Sequence, residues 1–422
     1  MKEVSIIAAT FYGNRGAEAM LSATMAEIKA RYAGALRFNV FSYYPAWDAM
    51  HISDSDVAVY SATPAYLVLV LLPCAVLYRL LALLGLKTIT GFLPKSVRAL
   101  ARSKMLICLA GVSFVEGREK FLLFNIATIL PAMLLGVTVI KFAQAMGPFG
   151  GFVNRLAARF FLSHCAQIFT RGERTHAHLK ELLTSRLNYE RADDVAFLFK
   201  PEYCLSIPRK GLEKNLVRLE SLCSNGRLVV GVCPSVVVAK RARASGWDYA
   251  QSIAKLIGDL VGKGYVVALY PNATRGEDMD KTHNNDLPLL DDVERNLLPE
   301  TARNIVKFTG SLNAAQIHKV INACDVHLVS RFHAMVAALS SGVPVLVIGW
   351  SHKYLEVMEC FSQEDMVFDY KRGGHEAVST LLDRLLDDRV QRTLTIVNAL
   401  SGVKRLSQRQ VDYAVEYLRK SL

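Results

Sequence analysis

Val326-His327-Leu328-Val329, then Ser330-Arg331-Phe332-His333-Ala334-Met335, then Gly342-Val343-Pro344 is the stretch on which the fold turns. The first four residues read as a buried strand, Ala334 to Leu339 as a helix and Val343 to Ile348 as a second strand. That order makes part of a βαβ unit, with an arginine and a histidine at the mouth of a parallel sheet. The first amides of the helix point the same way, so the place suits an anion. In an extended segment Arg331 and His333 send their side chains to one side and Phe332 to the other. Arginine offers a two-pronged fork to phosphate or carboxylate. Histidine beside it can donate a hydrogen bond or move a proton near neutral pH.

The same alternation runs outward in both directions. Upstream, Val4 to Thr10 reads as a strand, followed by Gly13-Asn14-Arg15-Gly16-Ala17-Glu18-Ala19 and a helix to about Arg31. Later strand ends deliver Gln144-Ala145-Met146-Gly147-Pro148 and Arg171-Gly172-Glu173-Arg174-Thr175, and Asp194-Val195-Ala196-Phe197 closes this half. Leu228 to Cys233, Tyr265 to Tyr270 and Ile305 to Phe308 are strands of a second half. A chain of 422 residues is long enough for two cores. The expected fold is α/β, two Rossmann-like domains facing a cleft in the GT-B-like manner, with a C-terminal helix returning to the first domain. The boundaries read as 1–200, a charged linker over 201–226 that lacks a strong period, 227–405, and the helix 406–422. Arg171 occupies the strand end in the first half that corresponds to Arg331, completing a clamp for a small dianion. Lys353, just after the strand Val345 to Ile348, could reach the same ligand. His352 is a weaker candidate for the same contact, and His164, His176 and His178 read as surface or capping residues.

Composition narrows the partners. Fifty basic residues against thirty-eight acidic give a net charge of +12, which favours anionic ligands or an anionic membrane surface. Zinc spacing, a basic amphipathic arm and an RNP-like strand are missing, which argues against nucleic acid. Eight cysteines without a CxxC pair read as buried, reduced thiols of a cytosolic protein, and no metal site is indicated. The first apolar run breaks at Gly13-Asn14-Arg15 and reads as a strand, not a signal peptide. Residues 65–86 carry a single charge, Arg79, and are long enough to span a bilayer. Pro73 and Arg79 interrupt them, and Lys87, Lys95, Arg98, Arg102 and Lys104 follow. The expected role is a helical hairpin touching an anionic cytoplasmic membrane surface, with a buried helix pair and a true span as alternatives.

Five of these motifs, in order, resemble those of the polysaccharide pyruvyl transferase family. They are the Gly13–Ala19 loop, Gln144 to Pro148, the Arg171 turn, Asp194 to Phe197, and Arg331-Phe332-His333-Ala334 with Gly342-Val343-Pro344 and Lys353. The resemblance implies a GT-B-like fold, phosphoenolpyruvate as donor, and no metal or cofactor. The acceptor is a sugar of an exopolysaccharide or its lipid-linked oligosaccharide precursor, and the product a pyruvate ketal. By carry-over, His333, Arg331 and Arg171 are catalytic. Phe332 and Lys353 join them in binding phosphoenolpyruvate, and Asn14, Gly16 and Glu18 lie near the acceptor. Gly172, Thr175 and Val195 depart from the family pattern (acid, serine and proline), which bears on the local geometry of the Arg171 turn. The expected location is cytoplasmic, peripheral at the inner face of the plasma membrane. Two other readings stay open. One is a glycosyltransferase or sugar-nucleotide epimerase on the same fold, with Glu356 or Glu359 gripping a ribose. The other is a non-catalytic assembly protein for envelope polysaccharide.

Overall fold

Runs of valine, isoleucine and leucine, buried on both faces, build two separate parallel sheets. The computed structural model describes residues 1–421 apart from Ser53, 185–187, Arg209, 277–282, Trp350, Ser351 and Gly373. The chain divides into two units. Unit 1 comprises Met1–Tyr12, Ala17–Phe199 and the chain from Lys404 onward. Unit 2 comprises Lys200–Val403 together with Gly13–Gly16. The glycine loop, counted by sequence with the first domain, therefore belongs to the second.

In unit 1 the strands are β1 (Lys2–Ile7), β2 (Leu36–Ser42), β3 (Val57–Ser61), β4 (Met105–Cys108), β5 (Val112–Ser113), β6 (Thr138–Met146), β7 (Gln167–Thr170) and β8 (Tyr189–Arg191). Their order is β3-β2-β1-β4-β6-β7-β8, with β5 beside β6. The order reverses between β1 and β4, so ligands are expected beyond the ends of those two strands. The C-terminal helix (Arg389–Lys420) gives its end to this unit. There Gln410 caps the sheet, accepting from the Ala143 amide at 2.8 Å and donating to the Asp193 carbonyl at 2.8 Å. Val411, Ala414, Val415 and Leu418 are its buried stripe.

The apolar segment is neither a buried pair nor free of the core. Helical from Pro64 to Leu83, it buries Leu67, Leu71 and Ala75, one residue per turn, against unit 1. Its other side is exposed, Leu69 by 73% and Leu83 by 69%.

Unit 2 holds β9 (Val229–Cys233), β10 (Val266–Leu269), β11 (Ile305–Lys307), β12 (Val326–Val329), β13 (Val345–Gly349) and β14 (Val367–Asp369), ordered β11-β10-β9-β12-β13-β14. Numbered within the unit this is 3-2-1-4-5-6, the order of a dinucleotide-binding sheet, reversing between β9 and β12. Gly231 on β9 makes room for His327 on β12. A Cβ there would fall 2.1 Å from the imidazole, which sits between the Tyr270 hydroxyl (3.2 Å) and the Ile321 carbonyl (3.1 Å). The expected linker 201–226 is not one. It contains the helix Leu212–Leu222, whose Leu212 and Leu219 are buried, so it is part of unit 2.

Candidate active site

Three loops meet beyond the ends of β9, β10 and β12: residues 13–16, 272–275 and 330–333. Asn14 bridges to Ala273, the Thr274 amide donates to the Gly13 carbonyl at 2.9 Å, and the Arg15 amide donates to the Asn272 carbonyl at 3.2 Å. The Asn14 side chain accepts from the Gly16 amide at 3.1 Å and starts the helix Arg15–Arg31. Gly13 has φ +82°, and a Cβ on it would lie 2.2 Å from the Arg275 guanidinium. Gly16 is needed for a different reason: a Cβ there would lie 2.0 Å from Cγ and 2.3 Å from Cβ of His333. Both glycines let a cationic or basic side chain rest directly on the loop backbone.

The Arg-Phe-His segment is not extended throughout. Arg331 has strand-like angles (φ −106°, ψ 127°), and the helix Phe332–Ser340 begins one residue later. The chain turns there because Ser330 is tied down, its hydroxyl 2.6 Å from that of Tyr249 and its carbonyl accepting from the Tyr354 hydroxyl at 3.2 Å. His333 therefore projects from the first turn of a helix, apart from Arg331. Arg331 is 12% exposed and forks onto the fully buried Asp286, with a further donation to Asn284 at 2.6 Å. Burial alone would lower the Arg331 pKa; the Asp286 carboxylate outweighs it and holds the guanidinium above its ordinary value. Asp286 also accepts from the Val236 amide (3.1 Å) and the Ala273 amide (2.9 Å), so it ties the ends of β9, β10 and β12 together. The expected role of Arg331 as an open anion fork is thus corrected: its fork is committed to Asp286. Phe332 is buried, edge-on to His333 and Tyr354, and Lys353 lies 4.8 Å above its ring, so it props these neighbours.

What the loops do gather is cationic: Arg15 and Arg275, both more than nine-tenths buried, with His333 and Lys353. Arg275 was hidden in a polar loop. Its signal was its position, directly after Asn272-Ala273-Thr274 at a strand end. Two cavities in unit 2, of about 980 and 570 Å³, lie elsewhere, and neither is lined by His333, Arg275 or Lys353. Among the described residues no cluster of histidine, cysteine and carboxylate side chains could hold a metal.

Unit 1 likewise ties its strand-end arginine to a buried carboxylate. Arg171 is 3% exposed, donates to Asp194 at 2.6 Å and to the Gly111 carbonyl at 2.9 Å. Asp194 in turn caps the 3-10 turn Val195–Leu198 through the Ala196 amide at 3.0 Å. Arg171 therefore joins two family motifs inside the unit; the clamp expected of it is not formed by an exposed group. One departure has a local reason: Gly172 has φ +85°, which a side chain would resist, while the Thr175 hydroxyl accepts from the Met146 amide at 3.4 Å as a serine's would. Glu18 is fully buried in unit 1, and Asn14 and Gly16 sit with His333 in unit 2.

Where β1 and β2 end, unit 1 instead presents aromatic faces. Tyr12 stacks on Trp47 at 4.8 Å, Trp47 on His51 at 5.5 Å, and Tyr44 meets Tyr12 edge-on. Trp47 is 39% exposed. Beneath it the buried Asp48 accepts from the Phe11 and Tyr12 amides and from Ser42. Burial raises its pKa, aided by Glu18, while these donors pull it down. Glu356, the ribose candidate, is 6% exposed with His352 4.0 Å away, while Glu359 is exposed.

The polysaccharide pyruvyl transferase model matches residues 14–352, from the Asn14 loop to His352. The chain belongs to the polysaccharide pyruvyl transferase family. Solved structures agree on a GT-B-like fold of two Rossmann-like domains. The Staphylococcus aureus MnaA–UDP complex is 12% identical at a TM-score of 0.60, covering 99% of this chain and 97% of its own. Anabaena HepE with UDP-glucose is 12% identical at 0.54, covering all of both chains. The Neisseria meningitidis UDP-GlcNAc 2-epimerase is 10% identical at 0.54, covering 99% and 100%. Such identities speak for the fold alone. All five pyruvyl transferase motifs noted in the sequence begin at or near the matched region's own span, and those of unit 2 meet in one place.

Proposed function

We propose that this pyruvyl transferase takes phosphoenolpyruvate as donor and builds a cyclic pyruvate ketal on a sugar of an envelope polysaccharide or its lipid-linked precursor. The observation that carries this reading is the gathering of Arg15, Arg275 and His333 at the switch point of unit 2. Phosphoenolpyruvate brings a carboxylate and a phosphate, and such a site matches both. Arg275 and Arg15 bind these groups, and Lys353 adds charge over Phe332. His333 gives its proton to the methylene carbon, leaving an oxocarbenium-like centre at C2. A sugar hydroxyl adds to C2 and returns its proton to His333. The C2–O bond to phosphate breaks, a second hydroxyl of the same sugar adds, and its proton leaves with the phosphate. The Tyr12–Trp47 stack offers an apolar face to the C–H side of a sugar ring. Because phosphoenolpyruvate is made in the cytoplasm, the reaction belongs on that side of the membrane.

Calorimetry with phosphoenolpyruvate and with UDP-sugars tests the donor. The expected result is phosphoenolpyruvate binding, weakened at least about tenfold by Arg275→Ala. Folded wild-type protein that ignores phosphoenolpyruvate but binds a UDP-sugar would overturn the reading in favour of a glycosyltransferase or epimerase.

A further inference from the structure

Between residues 57 and 172 the chain carries twelve lysines and arginines and two acids, Glu116 and Glu119, a balance of +10 within a total of +12. The same region holds most of the exposed large apolar side chains of unit 1. They come from three elements: the helix Pro64–Leu83 with the 3-10 turn Lys87–Phe92, the Leu122–Ala127 helix, and the helix Phe152–Ser163. Their inward residues, Leu67 and Leu71, Ala127, and Ala158 and Leu162, share one core cluster with Leu106, Val139 and Ile168 of the sheet. All three elements therefore cover one face of the sheet, and their outward sides share one side of the unit. There Phe92 is 91% exposed, Phe152 81% and Leu123 76%, beside Leu69 and Leu83. Arg155 and Arg159 stand exposed on the same helix as Phe152 and Leu156.

We propose that this side of unit 1 is a monotopic docking face for an anionic lipid bilayer. A water-facing surface would not collect so many large apolar groups. The basic side chains can reach headgroups while the apolar ones enter the acyl boundary. The helix Pro64–Leu83 does not cross the bilayer, because Leu67 and Leu71 are fixed in the core of the unit and Ala75, one turn on, is buried. It lies along the interface, protein on one side and lipid on the other. The face deepens the proposed function by supplying the surface at which a lipid-linked acceptor is met. It is tested without donor or acceptor, so the failure of either proposal leaves the other standing.

The full chain, freed of detergent, is floated with vesicles of phosphatidylcholine alone or of equal parts phosphatidylcholine and phosphatidylglycerol. The expected result is flotation with the anionic vesicles, reduced by salt. The triple variant Leu69→Glu, Phe92→Glu, Phe152→Glu should lose on the order of tenfold or more of that binding while keeping the wild-type melting curve. Should that variant misfold, Arg155→Glu with Arg159→Glu tests the electrostatic half, with a loss limited to anionic vesicles. Wild-type protein that ignores both vesicles overturns the proposal, and flotation only with native membranes would assign the face to a membrane protein. Variants that bind as well as wild type, or protease cleavage of the chain from inside sealed vesicles, would equally contradict it.

Discussion

Gly16→Ala asks the most of the site with the least chemistry. The added methyl carbon would sit 2.0 Å from Cγ and 2.3 Å from Cβ of His333. Carbon atoms rest at about 3.5–4.0 Å, so the two must separate by about 1.5 Å. A rotamer change does not help, because Cβ of His333 is fixed to the Phe332–Ser340 helix and moves only with it. The 13–16 loop must open from that helix. Misplacing a reacting group by about 1 Å costs on the order of a hundredfold in rate. Stability should respond otherwise: alanine is the better helix former by about 1 kcal/mol, against about 1–3 kcal/mol for overpacking. The expected variant melts within a few degrees of wild type and turns over phosphoenolpyruvate about a hundredfold more slowly, by phosphate release. Pairing it with His333→Gly, which removes Cβ as well as the ring, should relieve the steric clash without restoring activity. A Gly16→Ala protein with wild-type turnover would refute the packing of His333 on this loop as an element of the site.

Asp286→Ala strands the buried Arg331 and removes the acceptor for the Val236 and Ala273 amides. It should cost about 3–5 kcal/mol by denaturant melt, and a cost under about 1 kcal/mol would dismiss it as a hub. Arg171→Lys keeps the charge but loses the fork onto Asp194 and Gly111. It should lower the melting temperature and leave phosphoenolpyruvate affinity unchanged; a selective loss of affinity would restore the clamp. Trp47→Ala should raise KM for the sugar acceptor with little change for the donor, and an effect on donor KM alone would remove the stacking role. Burial pushes His327 and His318 down to about 4 from 6.5. Both are neutral in the native state, while the unfolded chain takes up protons below about pH 6.5. Stability of unit 2 should therefore fall as pH drops from about 6.5 toward 4, by up to about 3 kcal/mol per histidine. Asp193 in unit 1, raised to about 6 chiefly by burial, acts in the opposite sense between about pH 6 and 4. Hydrogen exchange at pH 5 should loosen unit 2 more than unit 1, and equal loosening would contradict this.

Much of the fold was legible because parallel strands buried on both faces are short, β-branched and punctuated by glycine. The Val326–Val329 run and its helix needed no tertiary information. Partners distant in sequence were not legible. Asp286 lies 45 residues before Arg331 and Asp194 lies 23 after Arg171, and only the folded sheets bring them together. Two arginines that looked like open forks are for that reason internal ties. Chain order alone places the Asn14 loop with unit 1, whereas its bridge to Ala273 joins it to unit 2. The apolar segment shows its length in sequence, but which side faces the core is set by the packing of Leu67 and Leu71, with Ala75 buried beyond them.

The central claim is ketal formation from phosphoenolpyruvate, and carbon-13 NMR reads it directly. Donor labelled at C2 is incubated with the protein and an extracted glycolipid or oligosaccharide acceptor. The account predicts that the label becomes a quaternary carbon bonded to two oxygens of one sugar, with one phosphate released per ketal, and that His333→Asn slows this by about a hundredfold or more. Label that stays in phosphoenolpyruvate with every acceptor offered, or that stops as an enol ether on a single hydroxyl, would contradict it.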